Sequence, residues 1–355
     1  MQTSELDYDL PQELIAQTPL EPRDAARLLI VNRRTGELAH RVFRDIIEYL
    51  QRGDLLVANE SRVIPARLRA RKAGTGGAVE LLLLRRLDER TWQALVGGKH
   101  VRAGTRLEAL DESGRSILRA EVIGEGEGPQ RTVQFEEPVE PFFDVIGVMP
   151  LPPYIHTPLA DPERYQTIYS HTPGSAAAPT AGLHFAPDLM AALGRLGVEF
   201  AFVTLHVGLD TFKPVDEDRV EEHRIHTEWC SLSPLVARQV NQSHLSGKRV
   251  IAVGTTSVRV LETADRPALT SAPYSPASGW QTVSAFEGFT DLFIYPGFEF
   301  RVVDAVITNF HLPRSTLLAL VSAFAGRDLI FRAYQEAIRE RYRFYSFGDA
   351  MFITE

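Results

Sequence analysis

The chain has 355 residues and a formal net charge of −8, with 44% hydrophobic and 24% charged residues. These values are ordinary for a globular protein with room for two cores, and the acidic balance argues against a general nucleic-acid binder. The lone Cys230 excludes an internal disulfide, and no segment resembles a signal peptide or a membrane span, so we expect a cytoplasmic protein.

Helix and strand patterns are mixed in the first 61 residues. Short strands are expected at 30–31 and 55–58, and a helix over 43–51. From residue 63 to 148 short strands alternate with glycine-rich turns, which predicts a small β-barrel or sandwich. The strand candidates there are 79–84, 92–96, 106–110, 117–123 and 132–135.

The rest of the chain alternates buried strands with helices. We expect strands at 200–205, 249–253 and 302–308, and helices at 187–196, 234–247, 257–263, 315–324 and 328–343. Such alternation is typical of an α/β fold: a layered, mostly parallel sheet with helices on both faces. We therefore predict an α/β catalytic domain formed by residues 1–62 and 151–355, with a small all-β barrel domain inserted at 63–150.

Residues 174–185 are unusual because every residue up to Gly182 is small or proline. Such a run buries little apolar area, but its backbone can approach a ligand closely. A flexible linker is the alternative, which Pro179 disfavours. We expect a ligand-facing loop that ends on His184, a side chain able to move protons. Its candidate ligand contacts are Gly174, Pro179, Thr180 and Gly182.

Polar residues follow three predicted strands, at the sheet edge where α/β proteins bind ligands. His206 follows the first strand, and the turn Gly254-Thr255-Thr256-Ser257 follows the second. This turn offers free N–H groups to a carboxylate or phosphate, although a plain helix cap is the alternative. The other candidates are Asn309, His311 and Arg314 after the third strand, and Asp304 within it.

The sequence lacks several well-known motifs. The Walker loop, Gly-x-Gly-x-x-Gly, Gly-x-Ser-x-Gly and His-Glu-x-x-His do not occur. His223 and His226 suggest a metal, but without clearer spacing we expect none. A basic stretch free of acidic residues could contact a phosphate backbone, although charge alone favours a solvated strand face. It contains Arg62, Arg67, Arg69, Arg71 and Lys72.

Eight segments resemble the S-adenosylmethionine:tRNA ribosyltransferase-isomerase family of queuosine biosynthesis. They are residues 7–11, 53–67, 150–154, 163–166, 202–208, 252–259, 308–316 and 343–350, together with the loop 174–185. Asp210 stands where the family more often has glycine, so we assign it no catalytic role.

The resemblance implies transfer of the ribosyl part of S-adenosylmethionine to 7-aminomethyl-7-deazaguanine at the tRNA wobble position. Isomerisation would give epoxyqueuosine-tRNA, with adenine and methionine released and no metal or redox cofactor. The partners would be S-adenosylmethionine and this tRNA, with no membrane, and we expect a monomer.

This chemistry needs a base for the C5′ proton, an acid for adenine departure and an anion site for the methionine carboxylate. We hypothesise that His184, His206 and His311 divide the acid–base work and that residues 254–257 hold the carboxylate. The basic stretch and the last helix would contact tRNA. The helix arginines are Arg332, Arg339, Arg341 and Arg343.

Two other functions compete with this hypothesis. An S-adenosylmethionine-dependent RNA methyltransferase would leave S-adenosylhomocysteine and no adenine, and the missing glycine-rich cradle disfavours it. A non-catalytic RNA-binding module would need neither the small-residue loop nor the polar strand ends.

Overall fold

The structure is a computed structural model that describes residues 1–208, 214–265 and 281–355. The chain divides into two compact units. The larger comprises Met1–Ser61, Pro152–Thr172 and Ala178–Glu355, and the smaller comprises Arg62–Leu151 and Pro173–Ala177. The sequence did not predict that Pro173–Ala177 belongs to the smaller unit. Asp210 lies outside the described residues.

The described residues form strands, α-helices and short 3-10 helices. The strands are β1 (Arg27–Asn32), β2 (Leu38–Val42), β3 (Leu55–Asn59), β4 (Ser61–Val63), β5 (Arg67–Lys72), β6 (Ala78–Arg86), β7 (Thr91–Gly97), β8 (Arg106–Leu110), β9 (Ser116–Glu125), β10 (Gln130–Phe135), β11 (Gly147–Val148), β12 (Thr172–Ser175), β13 (Glu199–Leu205), β14 (Glu228–Leu232), β15 (Val250–Val253), β16 (Phe286–Thr290), β17 (Ala305–Asn309) and β18 (Ala350–Thr354). The α-helices are α1 (Phe143–Ile146), α2 (Pro187–Leu196), α3 (Pro234–Leu245), α4 (Thr255–Ala264), α5 (Thr316–Ala325) and α6 (Arg327–Arg339). The 3-10 helices are Thr3–Leu6, Gln12–Leu14, Arg23–Ala25, Phe43–Glu48, Glu140–Phe142, Pro162–Tyr165, Thr180–His184 and Val220–Glu222.

The larger unit contains a nine-stranded sheet in the order β16-β14-β13-β3-β15-β17-β18-β1-β2. Its centre, β13-β3-β15-β17, is parallel, and β1 pairs in parallel with β18. The four other pairings are antiparallel, so the sheet is mixed and the prediction of a mostly parallel sheet was wrong. The sequence missed β2, β14, β16 and β18, which make all the antiparallel pairings. That helices cover both faces stays a prediction.

One face of this sheet forms a buried core with the elements around it. Leu56 of β3 and Ile251 of β15 pack in one cluster with Phe43, Phe185 and Leu193. Burying side chains of this size contributes about 1.5–3 kcal/mol each. The residues around the loop 174–185 are therefore anchored in the main core.

Three predicted elements have different bounds in the structure, and for two of them the reason is identifiable. The strand expected at 302–308 begins only at Ala305, because the N–H groups of Val302 and Val303 donate to the Glu262 carboxylate, each at 3.1 Å. Helix α6 ends at Arg339 rather than 343, and Arg341 adopts the left-handed backbone region with φ 55°. The helix expected at 43–51 is the 3-10 helix Phe43–Glu48.

The smaller unit is a closed antiparallel barrel. Strands β5-β6-β7-β10-β9-β8 follow one another, and β8 pairs back with β5 to close six strands, while β11 adds to β5. This confirms the predicted small all-β barrel. Leu68 and Ala70 of β5 are buried, while Arg69 between them is exposed, as the two-residue strand period requires.

Candidate active site

A cavity of about 560 Å³ lies in the larger unit, lined by the residues that follow β15 and β17. Such an edge is where α/β sheets bind ligands, and the volume suits a small molecule. The sequence-predicted residues that line it are Pro179, Thr180, Gly254, Thr255, Thr256, Asn309 and His311. Within the described part of the chain, no group of three metal-binding side chains was found, and no helix has the length and apolar character to cross a membrane.

The small-residue loop serves packing as well as the cavity. Gly174 belongs to β12 and to the smaller unit, and it does not line the cavity. A Cβ on Gly182 would lie 2.1 Å from the Tyr169 hydroxyl, so this glycine is needed for packing. Ala181 belongs to the main core cluster. Packing therefore accounts for part of the loop's second half, beyond the close approach to a ligand that the sequence analysis expected.

Asn309, at the end of β17, links the cavity to His184. The Thr180 hydroxyl donates to Asn309 Oδ1 at 2.8 Å, and Asn309 Nδ2 lies 3.2 Å from His184 Nε2. Because the amide oxygen accepts from Thr180, its NH₂ group is the donor to the imidazole. His184 Nε2 is therefore an acceptor, and its imidazole proton sits on Nδ1.

His184 is buried behind this amide rather than exposed to the first cavity. It lines a separate cavity of about 300 Å³, together with Arg23 and Arg164. Burial, reinforced by Arg343 and Arg23, lowers the pKa of His184 to about 3. The imidazole is therefore neutral at physiological pH, and its acceptor nitrogen is already occupied by Asn309.

Of the three predicted histidines, His311 lines the cavity itself. Its Nε2 lies 2.9 Å from the Thr308 hydroxyl, and its backbone N–H donates to Tyr334 at 2.8 Å. Burial lowers the pKa of His311 to about 3, so the ring is neutral. A neutral imidazole can accept a proton but has none to release as imidazolium.

His206 takes up a different position. Its ring stacks on Trp229 with centroids 5.2 Å apart, and its Nδ1 lies 3.3 Å from the Ser61 hydroxyl. Burial lowers the pKa of His206 to about 4. Its neighbour Val207 lines the cavity, whereas His206 is not among the lining residues. The structure therefore does not bring the three histidines together in one cavity.

The turn after β15 opens helix α4. Gly254 has φ +87°, and its N–H donates to the Ile307 carbonyl at 2.8 Å, so it is unavailable to a ligand. The Ser257 hydroxyl donates to the Val253 carbonyl at 2.8 Å and is fully buried. Thr256 Oγ1, in contrast, is buried with no hydrogen-bond partner among the described residues, and its residue lines the cavity. An unpaired buried hydroxyl of this kind is expected where a ligand binds.

The structure does not place Asp304 and Arg314 in this cavity. The Asp304 carboxylate accepts from the Val250 N–H at 2.7 Å, at the opposite end of β15 from the turn at Gly254. The backbone N–H of Arg314 donates to Leu6 at 2.9 Å, and its guanidinium lies 3.5 Å from the Val215 carbonyl. Both residues anchor neighbouring segments.

Among the aromatic residues that line the cavity, Tyr154 and Tyr345 were not assigned by sequence reasoning. The rings of Tyr154 and Tyr345 lie 4.8 Å apart, and Tyr154 Oη lies 2.7 Å from the Ser346 hydroxyl. Tyr345 has φ 70°, a costly conformation for a bulky side chain. Both residues lie in segments with the family resemblance, which was the available signal.

The basic residues predicted to contact tRNA differ in whether their side chains form ion pairs or hydrogen bonds within the protein. Arg67 pairs with Glu80 at 3.0 Å and Arg71 with Glu108 at 2.7 Å, while Lys72 donates to the Lys99 and His100 carbonyls. Arg69 is exposed on the outer face of β5. Arg62 has a partner in the structure.

Three of the four arginines predicted in the last helix have partners within the larger unit. Arg339 pairs with Glu336 and Glu340, and Arg332 donates to the Gly36 carbonyl. Arg343 donates to the Thr18 carbonyl, and burial lowers its pKa. Arg332, Arg339 and Arg341 are nevertheless exposed, so contact of these arginines with tRNA stays a prediction.

The fold and the cavity together define an enzyme with an α/β unit, a barrel unit and a polar site at the sheet edge. The chain belongs to the family described as queuosine biosynthesis protein, whose sequence model matches residues 3–353. Two relatives, both named S-adenosylmethionine:tRNA ribosyltransferase-isomerase, come from Symbiobacterium thermophilum and Dehalococcoides mccartyi. They are 52% and 49% identical, over 99% of this chain and 100% of their own length.

A solved structure agrees with this assignment. The crystal structure of S-adenosylmethionine tRNA ribosyltransferase from Thermotoga maritima matches with a TM-score of 0.55 and 43% identity. The match covers 99% of this chain and 100% of that one.

Proposed function

We propose that this protein transfers and isomerises the ribosyl moiety of S-adenosylmethionine onto 7-aminomethyl-7-deazaguanine at the tRNA wobble position. Adenine and methionine leave, and the product is epoxyqueuosine-tRNA. The cavity at the ends of β15 and β17 carries this proposal, because it joins Thr256, Asn309 and His311 in a chain that matches the family almost end to end.

Within this function His311 is the candidate base. His311 lines the cavity, and its neutral imidazole has a nitrogen lone pair that can take the acidified C5′ proton next to the sulfonium. None of the three predicted histidines offers an imidazolium for adenine departure, since burial keeps the rings of His184, His206 and His311 neutral. His184 acts through Asn309 and is a positioning residue. That the protein is a cytoplasmic monomer stays a prediction.

The reaction is tested by identifying the released small molecules. The enzyme is incubated with S-adenosylmethionine and tRNA carrying 7-aminomethyl-7-deazaguanine, with guanine-containing tRNA as the control. We expect adenine and methionine with the modified tRNA alone. S-adenosylhomocysteine without adenine would instead establish a methyltransferase.

His311→Gln tests the assignment of the base. Loss of a general base typically costs about 10²–10⁴-fold in rate, so we expect adenine release to fall by that factor while S-adenosylmethionine still binds. His206→Gln is the control, because His206 lies outside the lining of the cavity. A His311→Gln rate close to that of the wild type would contradict the assignment.

A further inference from the structure

A second cavity, of about 450 Å³, lies in the larger unit, and its lining differs in character from the first. Leu292, Ile294 and Leu320 give it apolar walls, and a buried ion pair between Arg259 and Glu228 completes it. The exposed fractions of Arg259 and Glu228 are 5% and 7%. Removing two charges from water costs desolvation free energy, which their attraction offsets only with good geometry and further hydrogen bonds.

The ion pair is held rigidly in place. Arg259 Nε donates to the Leu292 carbonyl at 3.1 Å, and the Glu228 carboxylate accepts from the Gly208 N–H at 2.8 Å. With its bonds to Glu228 and to the Thr290 carbonyl, the guanidinium uses three of its five N–H groups among the described residues. A positive and a negative group are thus presented side by side at the wall of an apolar cavity.

The two cavities follow one another along the same helices. Thr255 of α4 lines the first cavity, and Arg259, one helical turn later on the same face, lines the second. Leu317 of α5 lines both. One turn advances about 5.4 Å along a helix. The two cavities are therefore adjacent, at a spacing that matches a ligand with a ring system and a short aliphatic chain.

We propose that the second cavity binds the amino-acid end of S-adenosylmethionine, with Arg259 holding the carboxylate and Glu228 the ammonium group. This inference rests on the proposed function. A zwitterion matches the ion pair group for group, and the apolar walls suit the methylene chain that precedes it. The methionine carboxylate is thereby reassigned from the turn at Gly254 to Arg259, and the turn is left to contact the adenosyl part.

The test compares two ligands by calorimetry without tRNA. S-adenosylmethionine carries the amino-acid group, and 5′-deoxy-5′-methylthioadenosine has the same adenosine and sulfur without it. We expect Arg259→Gln to weaken S-adenosylmethionine about 10- to 100-fold and to leave methylthioadenosine unchanged. Arg249→Gln is the matched control: it breaks the ion pair with buried Asp54 at the start of β15 and should not change the ratio of the two affinities.

Ile225→Trp provides a variant that leaves the ion pair intact. Ile225 is half-buried and lines the second cavity, so a larger side chain fills it without changing the core. We expect the same selective loss of S-adenosylmethionine affinity. Two results would overturn this inference but not the proposed function. One is an equal loss of affinity for both ligands, and the other is unchanged S-adenosylmethionine affinity in folded Arg259→Gln and Ile225→Trp. A wild-type enzyme that binds neither ligand would contradict the proposed function as well.

Discussion

Thr256 shows how a single buried hydroxyl reports on a ligand. Its Oγ1 lacks a partner among the described residues while its residue lines the first cavity. Leaving such a group unpaired costs about 1–3 kcal/mol, and an apolar group of the same shape avoids that cost. An unpaired buried hydroxyl lowers the stability of the unliganded protein, and contact with a substrate gives it a function that offsets this cost.

Thr256→Val therefore separates binding from folding. We expect an unchanged or higher free energy of unfolding in denaturant titrations, and S-adenosylmethionine affinity reduced about tenfold. Thr263→Val is the control, because the Thr263 hydroxyl already bonds to that of Thr290 at 2.7 Å. A Thr256→Val variant that binds S-adenosylmethionine as the wild type does would exclude the hydroxyl as a ligand contact.

Gly182 makes a prediction about packing. The added Cβ of Gly182→Ala would lie 2.1 Å from the buried Tyr169 hydroxyl, so the 3-10 helix Thr180–His184 must shift. Overpacking of this size costs about 1–3 kcal/mol, measured as a loss in the free energy of unfolding. Gly194→Ala, where a Cβ meets no atom within 4 Å, is the control. Tyr169→Phe in the Gly182→Ala background should recover part of the loss.

Single residues also show what the sequence could and could not predict. Asn309 and His311 were predicted because strand ends collect ligand-binding groups in α/β sheets, and Thr180 because it lies in the small-residue loop; all three line the first cavity. Asp304 was wrongly included, because a pattern does not tell which end of a strand a carboxylate caps. Tyr345 was missed because its role depends on a left-handed backbone conformation that only the tertiary structure imposes.

At the scale of elements, we expect β5 to contact tRNA through its exposed arginine. Arg69 is exposed on its outer face, whereas Arg67 and Arg71 are paired with carboxylates. Arg69→Glu is expected to weaken tRNA binding and to reduce its salt dependence, by about one unit in the slope of log K against log salt.

Arg119→Glu is the matched control for this surface. Arg119 is exposed on β9, which β8 separates from β5 in the barrel order. Its substitution changes the net charge equally, so a specific contact predicts a smaller effect than Arg69→Glu. Equal losses of tRNA affinity in both variants would indicate only a general electrostatic attraction. Unchanged tRNA affinity in Arg69→Glu would mean that this face of β5 contacts solvent and not tRNA.

Elements with strong local signals were predicted well. The helix expected at 187–196 is α2, which ends at Gly197 in the left-handed region with φ 89°, and the helix expected from 234 is α3, whose first turn is capped by the Ser233 hydroxyl. Strand β18 was not predicted, because its five residues are all buried and so show no alternation of polar and apolar side chains. Its pairing with both β1 and β17 is non-local, and no local pattern encodes it.

At the scale of the whole molecule, the buried histidines link stability to pH. The pKa of His184 and that of His311 are lowered to about 3, whereas the unfolded chain has values near 6.5. Below pH 6.5 the unfolded chain therefore binds protons that the folded protein does not. The free energy of unfolding attributable to these groups falls as the pH decreases from 6.5 towards 3.

Between pH 6 and pH 4 the free energy of unfolding should fall less steeply in His184→Gln than in the wild type, by about 1 kcal/mol per pH unit. The measurement is denaturant unfolding at several pH values, with exposed His156→Gln as the control. Buried Glu262 and Asp349, whose pKa values burial raises, act in the opposite direction, so variants must be compared with one another. Parallel curves for His184→Gln and wild type would contradict this linkage.

The division of the chain between its two units has an evolutionary consequence. The smaller unit takes Arg62–Leu151 and then, after a return to the larger unit, Pro173–Ala177. Within it the Ile64 N–H donates to the Ser175 carbonyl at 3.0 Å, so the short second segment supplies a bond that the first one needs. A recombination event that exchanged only residues 62–151 would deliver a barrel without this piece. We therefore expect a barrel transplanted into another protein to need both segments, which no single cut of the gene can supply.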